Sequence, residues 1–298
     1  SDWEMALLYS ERAKATLQST LPSSAANEAE ALGKQGRNAG ELSAVAHLKS
    51  DNPKAAFEAL SEGQQLQSAG IQLAANRTAR GDLNSVASKQ KSLEILERQA
   101  KSLESLPDSQ TRTELLENNN QQLARSRSDF MLESRRIRAK YPKLYTTTLR
   151  FDPLVLPDVQ EGLPPGTAVV QYFATAHELF IFVVTGDSFH LHSVSLDQSE
   201  LDELVLDYLK KLRRATPDDG DLARLSKRLS SLLIEPVFED VAKSETLILI
   251  PSGRLNILPF ASLLDESDSP LAARKRLVFL AKATDFMKIS GSRPKEVN

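Results

Sequence analysis

Proline and phenylalanine are spread unevenly along this 298-residue chain, and the asymmetry constrains its fold. Residues 1–150 hold four prolines (Pro22, Pro53, Pro107 and Pro142) and only two phenylalanines, Phe57 and Phe130. Residues 151–298 hold ten prolines and nine phenylalanines. Proline-poor sequence rich in Ala, Leu, Gln, Lys and Glu favours helix, because these side chains lose little freedom there. β-branched and aromatic runs closed by Gly and Pro favour strands. The chain therefore reads as α plus α/β. Residues 1–145 form an all-helical half with a helical repeat or hairpin. Residues 146–298 form a mixed β-sheet subdomain flanked by helices. The join lies between Tyr141 and Pro165, a stretch with five prolines and no helical period. Two domains also suit the length, at roughly 100–200 residues per domain.

The helical half contains a predicted hairpin. Val86, Leu93 and Ala100 recur every seven residues, and Leu96 and Leu103 supply the complementary positions. That is an a/d stripe of nearly three heptads. Leu106-Pro107-Asp108-Ser109 breaks it and offers Asp108 or Ser109 as the next N-cap. On the second arm Leu116, Leu123, Phe130 and Ile137 keep the seven-residue repeat, while the complementary positions Asn119, Ser126 and Glu133 are polar. A short antiparallel hairpin fits this better than a long dimeric coiled coil. Upstream, Asn52-Pro53 before Ala55-Ala-Phe-Glu-Ala-Leu60 reads as an N-cap, Pro at N1 and an amphipathic helix. Gly40-Glu41-Leu42 and Gly81-Asp82-Leu83 each read as a helix opening, 41 residues apart. A tetratricopeptide-like repeat and a plain helical bundle both fit that spacing. Residues 22–40, rich in Ala, Ser, Asn and Gly, read as a loose loop.

The second half reads more cleanly. Thr167-Ala-Val-Val-Gln-Tyr-Phe173 follows the turn Pro164-Pro165-Gly166 and predicts a strand. Glu178–Thr185 is almost continuously apolar, as in a strand buried on both faces. Gly186-Asp187 is a turn signal, and Ser188–Val194 alternates like a third, antiparallel strand. Helices follow over Ser199–Arg214 and Asp221–Ile234, the second with a leucine face. Glu245–Ile250 predicts a further buried strand, and Arg276–Leu280 a last one. The exposed edge of such a sheet predicts close packing on its own helices or on a further subdomain.

Chemistry is constrained by what the chain lacks. It has no cysteine, hence no disulfide, thiolate site or cysteine nucleophile of its own. The formal net charge of −3 gives no support to a surface basic throughout. No apolar run approaches the roughly 18 residues of a membrane helix. No N-terminal pattern reads as a signal peptide, and a cytoplasmic location is the expectation. Neither a Gly-x-Ser-x-Gly elbow nor a glycine-rich phosphate loop occurs. His190 and His192 alternate on a predicted strand and share a face about 7 Å apart. No third ligand stands near them in sequence, so a solvated or paired face is the reading, and no metal, cofactor or catalytic residue is assigned. The dense basic run Arg125, Arg127, Arg135, Arg136 and Arg138 suits a helix C-terminus. RNA or polyanion contact is the alternative there, without the interleaved aromatic residues that single strands favour.

The segment Ile250-Pro-Ser-Gly-Arg-Leu-Asn-Ile-Leu-Pro-Phe-Ala-Ser-Leu263 is the most distinctive. It resembles the "strand, Pro-x-Gly, Leu, Pro-Phe, Leu" signature of CHAT domains, which are caspase-like and related to caspases and separase. Leu163–Phe173 and Glu178–Thr185 resemble the opening of the same domain, and residues 55–62 resemble the last tetratricopeptide-like helix that precedes it. The resemblance spans roughly residues 50–285. It marks Gly166, Tyr172, Pro251, Gly253, Leu255, Pro259 and Phe260 as structural motif positions. In that family, peptidase chemistry rests on a His-Gly motif and a Ser-Ala-Cys motif, both expected downstream of these residues. Neither occurs here.

The resemblance implies the regulatory, partner-binding portion of a caspase-like cysteine peptidase, inactive alone. Its partner would be another protein or the missing catalytic subdomain. A non-enzymatic interaction scaffold is the alternative, and polyanion binding through residues 125–143 a second.

Overall fold

The computed structural model describes residues 2–21, 26–75, 77–105, 107, 109–141, 155–214, 220–283 and 285. The chain forms two compact units, Ser1–Pro153 and Leu154–Asn298. Among the described residues no helix is long and apolar enough to cross a membrane.

The first unit is helical: α1 (Asp2–Thr20), α2 (Ala26–Lys49), α3 (Pro53–Ala75), α4 (Arg77–Glu104) and α5 (Gln110–Lys140). The start of α3 is as expected, with Asn52 Oδ1 accepting the Ala55 N–H at 3.2 Å. Ser109 caps α5 by accepting the Arg112 N–H at 3.1 Å. Asp108, the other candidate cap, lies outside the described residues.

Two readings need correction. Residues 26–40 belong to α2 rather than to a loop, and Gly40 and Gly81 lie inside helices rather than opening them. At Gly40 tertiary contact overrides the low helix propensity of glycine, whereas Gly81 has no neighbour within reach and is carried by its helix alone. Gly33, Gly36 and Gly40 face α3, where any side chain would collide. A Cβ on Gly40 would lie 2.7 Å from the Ala59 carbonyl oxygen and from Gly63 Cα. The glycines therefore let two helices touch backbone to backbone, as small residues do in closely crossing helices. Leu66, fully buried in α3, fills the space over Gly36. α1 docks through polar groups. Lys14, only 3% exposed, donates to Glu62 of α3 at 2.6 Å and pairs with Glu11 at 2.7 Å. Gln18 donates to the other Glu62 oxygen at 2.7 Å.

The second unit begins with α6 (Leu156–Gly162), in a stretch expected to lack helix. Pro157 sits in its first turn, where a missing N–H costs nothing. Gln160 Nε2 donates to the carbonyls of Thr185 and Ser188, tying α6 to a strand turn. The sheet has five strands: β1 (Thr167–Ala174), β2 (Glu178–Val184), β3 (Phe189–Ser195), β4 (Thr246–Ile250) and β5 (Arg276–Phe279), in the order β3-β2-β1-β4-β5. The first three strands form an antiparallel meander, and β4 and β5 add in parallel to β1. Two helices, α7 (Gln198–Leu212) and α8 (Gly220–Leu233), precede β4, and a short α9 (Leu271–Arg274) precedes β5.

Alternation decides which residues meet which layer. Val170 and Tyr172 of β1, Ile181 of β2 and Leu249 of β4 share one core with Val205 and Tyr208 of α7 and Leu229 and Leu233 of α8. The opposite registers of β1 and β2 are buried too, including Phe173, Phe180 and Phe182. Gln171 is the exception there: it is buried among apolar neighbours with neither amide atom hydrogen bonded.

Candidate functional site

The segment after β4 is built for packing. Pro251 is buried, and Gly253, at φ 53°, makes a turn that disfavours side chains. A 3₁₀ turn over Gly253–Ile257 inserts Leu255, and a second over Phe260–Ser262 inserts Phe260. Leu255, Leu258, Phe260 and Leu263 all enter the core shared with α7 and α8. Pro259, half-buried, sets up the second turn. The Phe260 ring lies 5.5 Å from that of Tyr172. Tyr172 donates its hydroxyl to the Leu233 carbonyl at 3.0 Å, and full burial pushes its phenol pKa well above the usual value. Gly166, at φ 70°, accepts from the N–H groups of Glu245 and Thr246 and so joins the starts of β1 and β4. All seven motif positions thus have a packing or turn role.

Polar groups that sequence spacing did not connect also hold this region. Ser262 Oγ lies 2.7 Å from the Tyr208 hydroxyl. Ser226 donates to the Ser262 carbonyl and accepts from the Leu264 N–H. Lys275 Nζ donates to the carbonyls of Val241, Ala242 and Ser244, at 2.9, 3.0 and 2.6 Å. Burial lowers the pKa of this lysine. The ammonium closes the loop before β4 onto the start of β5.

His190 and His192 do share a face of β3, paired with Val183 and Ile181. Asp240, from the turns after α8, completes the cluster. Its Oδ2 lies 2.5 Å from His192 Nε2, and its Oδ1 lies 3.8 Å from His190 Nε2. The Nε2 atom of His192 is thus taken up by this carboxylate. Among the described residues no group of three His, Asp or Glu side chains could hold a metal ion. Sequence spacing missed Asp240 because it lies 48 residues beyond His192. His177 pairs with Asp197 at 2.8 Å on the surface. In the first unit, desolvation lowers the pKa of His47.

The basic run is partly engaged inside the α4–α5 hairpin. Arg127 pairs with Glu97 at 2.9 Å, and Arg136 with Asp82 at 2.7 Å and Glu133 at 2.8 Å. Lys140 and Tyr141 also donate to Asp82. Arg125 and Arg135 are exposed, and the Arg138 side chain lies outside the described residues.

No curated protein matches the chain. The family model of the CHAT domain matches residues 223–298. The match starts within α8 and takes in β4, the two 3₁₀ turns and β5, while Leu163–Phe173 and Glu178–Thr185 lie outside it. Those two segments form β1 and β2 of the same sheet, with β1 hydrogen bonded directly to β4. Residues 223–298 are thus similar to the CHAT domain, and residues 250–263, which carry the sequence likeness, lie within that match.

Proposed function

We propose that this chain is the regulatory, partner-binding portion of a caspase-like cysteine peptidase. The carrying observation is a CHAT-domain match at residues 223–298 in a sequence without cysteine. A thiolate nucleophile activated by a histidine cannot arise from these residues. The segment most typical of the family, residues 250–263, is committed to the core rather than to reacting groups. Its role is then to present a stable sheet to the part that holds the dyad. The helical unit supplies the surface through which a second protein governs that part.

The test is the native gene product, recovered from its own cells with an antibody to residues 1–150 and sequenced by mass spectrometry. The expected result is a polypeptide larger than 32.9 kDa, or a stoichiometric bound chain, carrying His-Gly and Ser-Ala-Cys segments and labelled by a cysteine-directed covalent probe. A native product of this mass without such a partner overturns the proposal and leaves a non-enzymatic scaffold.

A further inference from the structure

The hairpin of α4 and α5 holds a surface whose chemistry points to one kind of partner. Asn118-Asn119-Asn120-Gln121-Gln122 places five uncharged amides in succession inside a 31-residue helix. Asparagine is a poor helix former, and a break with local preference inside an element is where function is to be sought. Asn118, Asn119 and Gln122 line an open groove of about 350 Å³ together with Gln99 and Ser102 of α4. Leu103 and Leu115 complete its wall, and no charged residue lines it.

Two features indicate that the groove is an incomplete contact. Asn119 is only 7% exposed, and its Nδ2 reaches Gln99 Oε1 at 3.4 Å. Its Oδ1 is buried with no hydrogen-bond partner. On α4 the face beside the groove is also free of charge. Its stripe runs Ser88, Ser92, Ile95, Gln99, Ser102; Ile95 is 43% exposed, and Leu115 at the groove is 47% exposed. These residues lie three or four apart and share a face.

We propose that this groove is a self-association surface, on which the hairpin of a second copy of this chain docks across a two-fold axis. In such a contact each patch meets itself. A charged patch would meet its own sign, whereas a primary amide carries donors and an acceptor and can pair with its own copy. A neutral amide face is therefore self-complementary. The Asn119 oxygen gains its donor from the facing copy, and Ile95 and Leu115 supply the apolar contact. A single buried asparagine in a helical seam sets register and oligomeric state in the same way. This inference does not depend on the peptidase reading.

Sedimentation velocity of the full chain, from nanomolar to high micromolar concentration, should reveal a reversible dimer. Asn119→Asp places two carboxylates opposite each other and should weaken the dimer about tenfold or more. Gln122→Lys changes an exposed position and should weaken it in the same direction while leaving the circular dichroism melt unchanged. Because the chain has no cysteine, Gln122→Cys provides a unique attachment point for a spin label. Two such labels should lie close together in the dimer by pulsed electron resonance. A chain that remains monomeric throughout overturns the proposal. So does a dimer indifferent to both Asn119→Asp and Gln122→Lys, or one whose labels are far apart.

Discussion

The first unit contains two helical hairpins held together by different means. In α2–α3 the contact is steric. Gly33, Gly40, Gly63 and Gly70 bring the backbones together, and a Cβ at any of them would press on backbone atoms of the other helix. α4–α5 adds to a buried apolar seam, including Val86 and Ile137, the polar pairs of Asp82 with Arg136 and Lys140, Glu97 with Arg127, and Asn119 with Gln99. The same helix-favouring composition thus yields a pair that tolerates no added atom and a pair that supplements its apolar seam with charge. Steric contacts are insensitive to pH and salt, whereas exposed ion pairs are screened and titrate.

The sharpest contrast concerns glycine. Glycine to alanine inside a helix ordinarily stabilises, by about 1 kcal/mol. At Gly70 the added Cβ would lie 2.4 Å from the Ala29 carbonyl oxygen and 2.8 Å from Gly33 Cα. Gly70→Ala should therefore destabilise the unit by about 3 kcal/mol, as overpacking does. Gly81 in α4 has nothing within 4 Å of that position, so Gly81→Ala should follow the ordinary rule and stabilise by about 1 kcal/mol. Urea unfolding of the two variants, followed by hydrogen exchange on α2–α3 and α4–α5, reads both signs. Equal effects at the two positions would erase the distinction between the hairpins.

Core truncation gives a related test. Leu66 is fully buried against Gly36, whereas Leu123 lies in the thinner stripe of α5 and is 9% exposed. Leu66→Ala should cost about 3–4 kcal/mol and Leu123→Ala about 2 kcal/mol, because the more exposed site can relax around the gap. A larger loss at Leu123 would mean that α4–α5 is held mainly by its apolar seam.

These contrasts also explain what the sequence reveals and what it hides. The meander β1–β2–β3, helices α7 and α8, and the cap at Ser109 follow from alternation, leucine periodicity and local turn chemistry, all written within a few residues. α2 was hidden because its glycines act only across a tertiary contact, and read locally they signal loop. α6 was hidden by the prolines around it, although Pro157 suits a helix start. At the candidate site the motif between Ile250 and Leu263 is legible because its turns are local. The Asp240 partner of His192 and the Ser226–Ser262 link join residues far apart in the chain, and no spacing rule connects them. The amide run of α5 is visible in the sequence, but that it faces a groove depends on how α4 packs.

The last contrast is with acid. Asp82 receives hydrogen bonds from Lys140, Arg136 and Tyr141, which hold its carboxyl well below the usual carboxylate range. Glu133 is lowered in the same direction, first by its hydrogen bond to Arg136. A carboxyl with a depressed folded-state pKa contributes stability that is fully present above its unfolded value of about 4. That contribution is lost as pH falls below this value toward the folded pKa. Hydrogen-exchange protection of α4–α5, corrected for intrinsic rates, should therefore fall between about pH 4 and stronger acid. The Gly33–Gly70 contact of α2–α3 itself contains no group that titrates there and should keep more of its protection than α4–α5, its acid loss being confined to the side where Glu11 and Glu62 hold Lys14. Asp82→Asn should lower α4–α5 protection at neutral pH and flatten its acid dependence. Molar salt should reproduce part of that loss, because these pairs are exposed. Parallel loss of protection in both hairpins, in the native chain and in Asp82→Asn alike, would show that charge does not distinguish them.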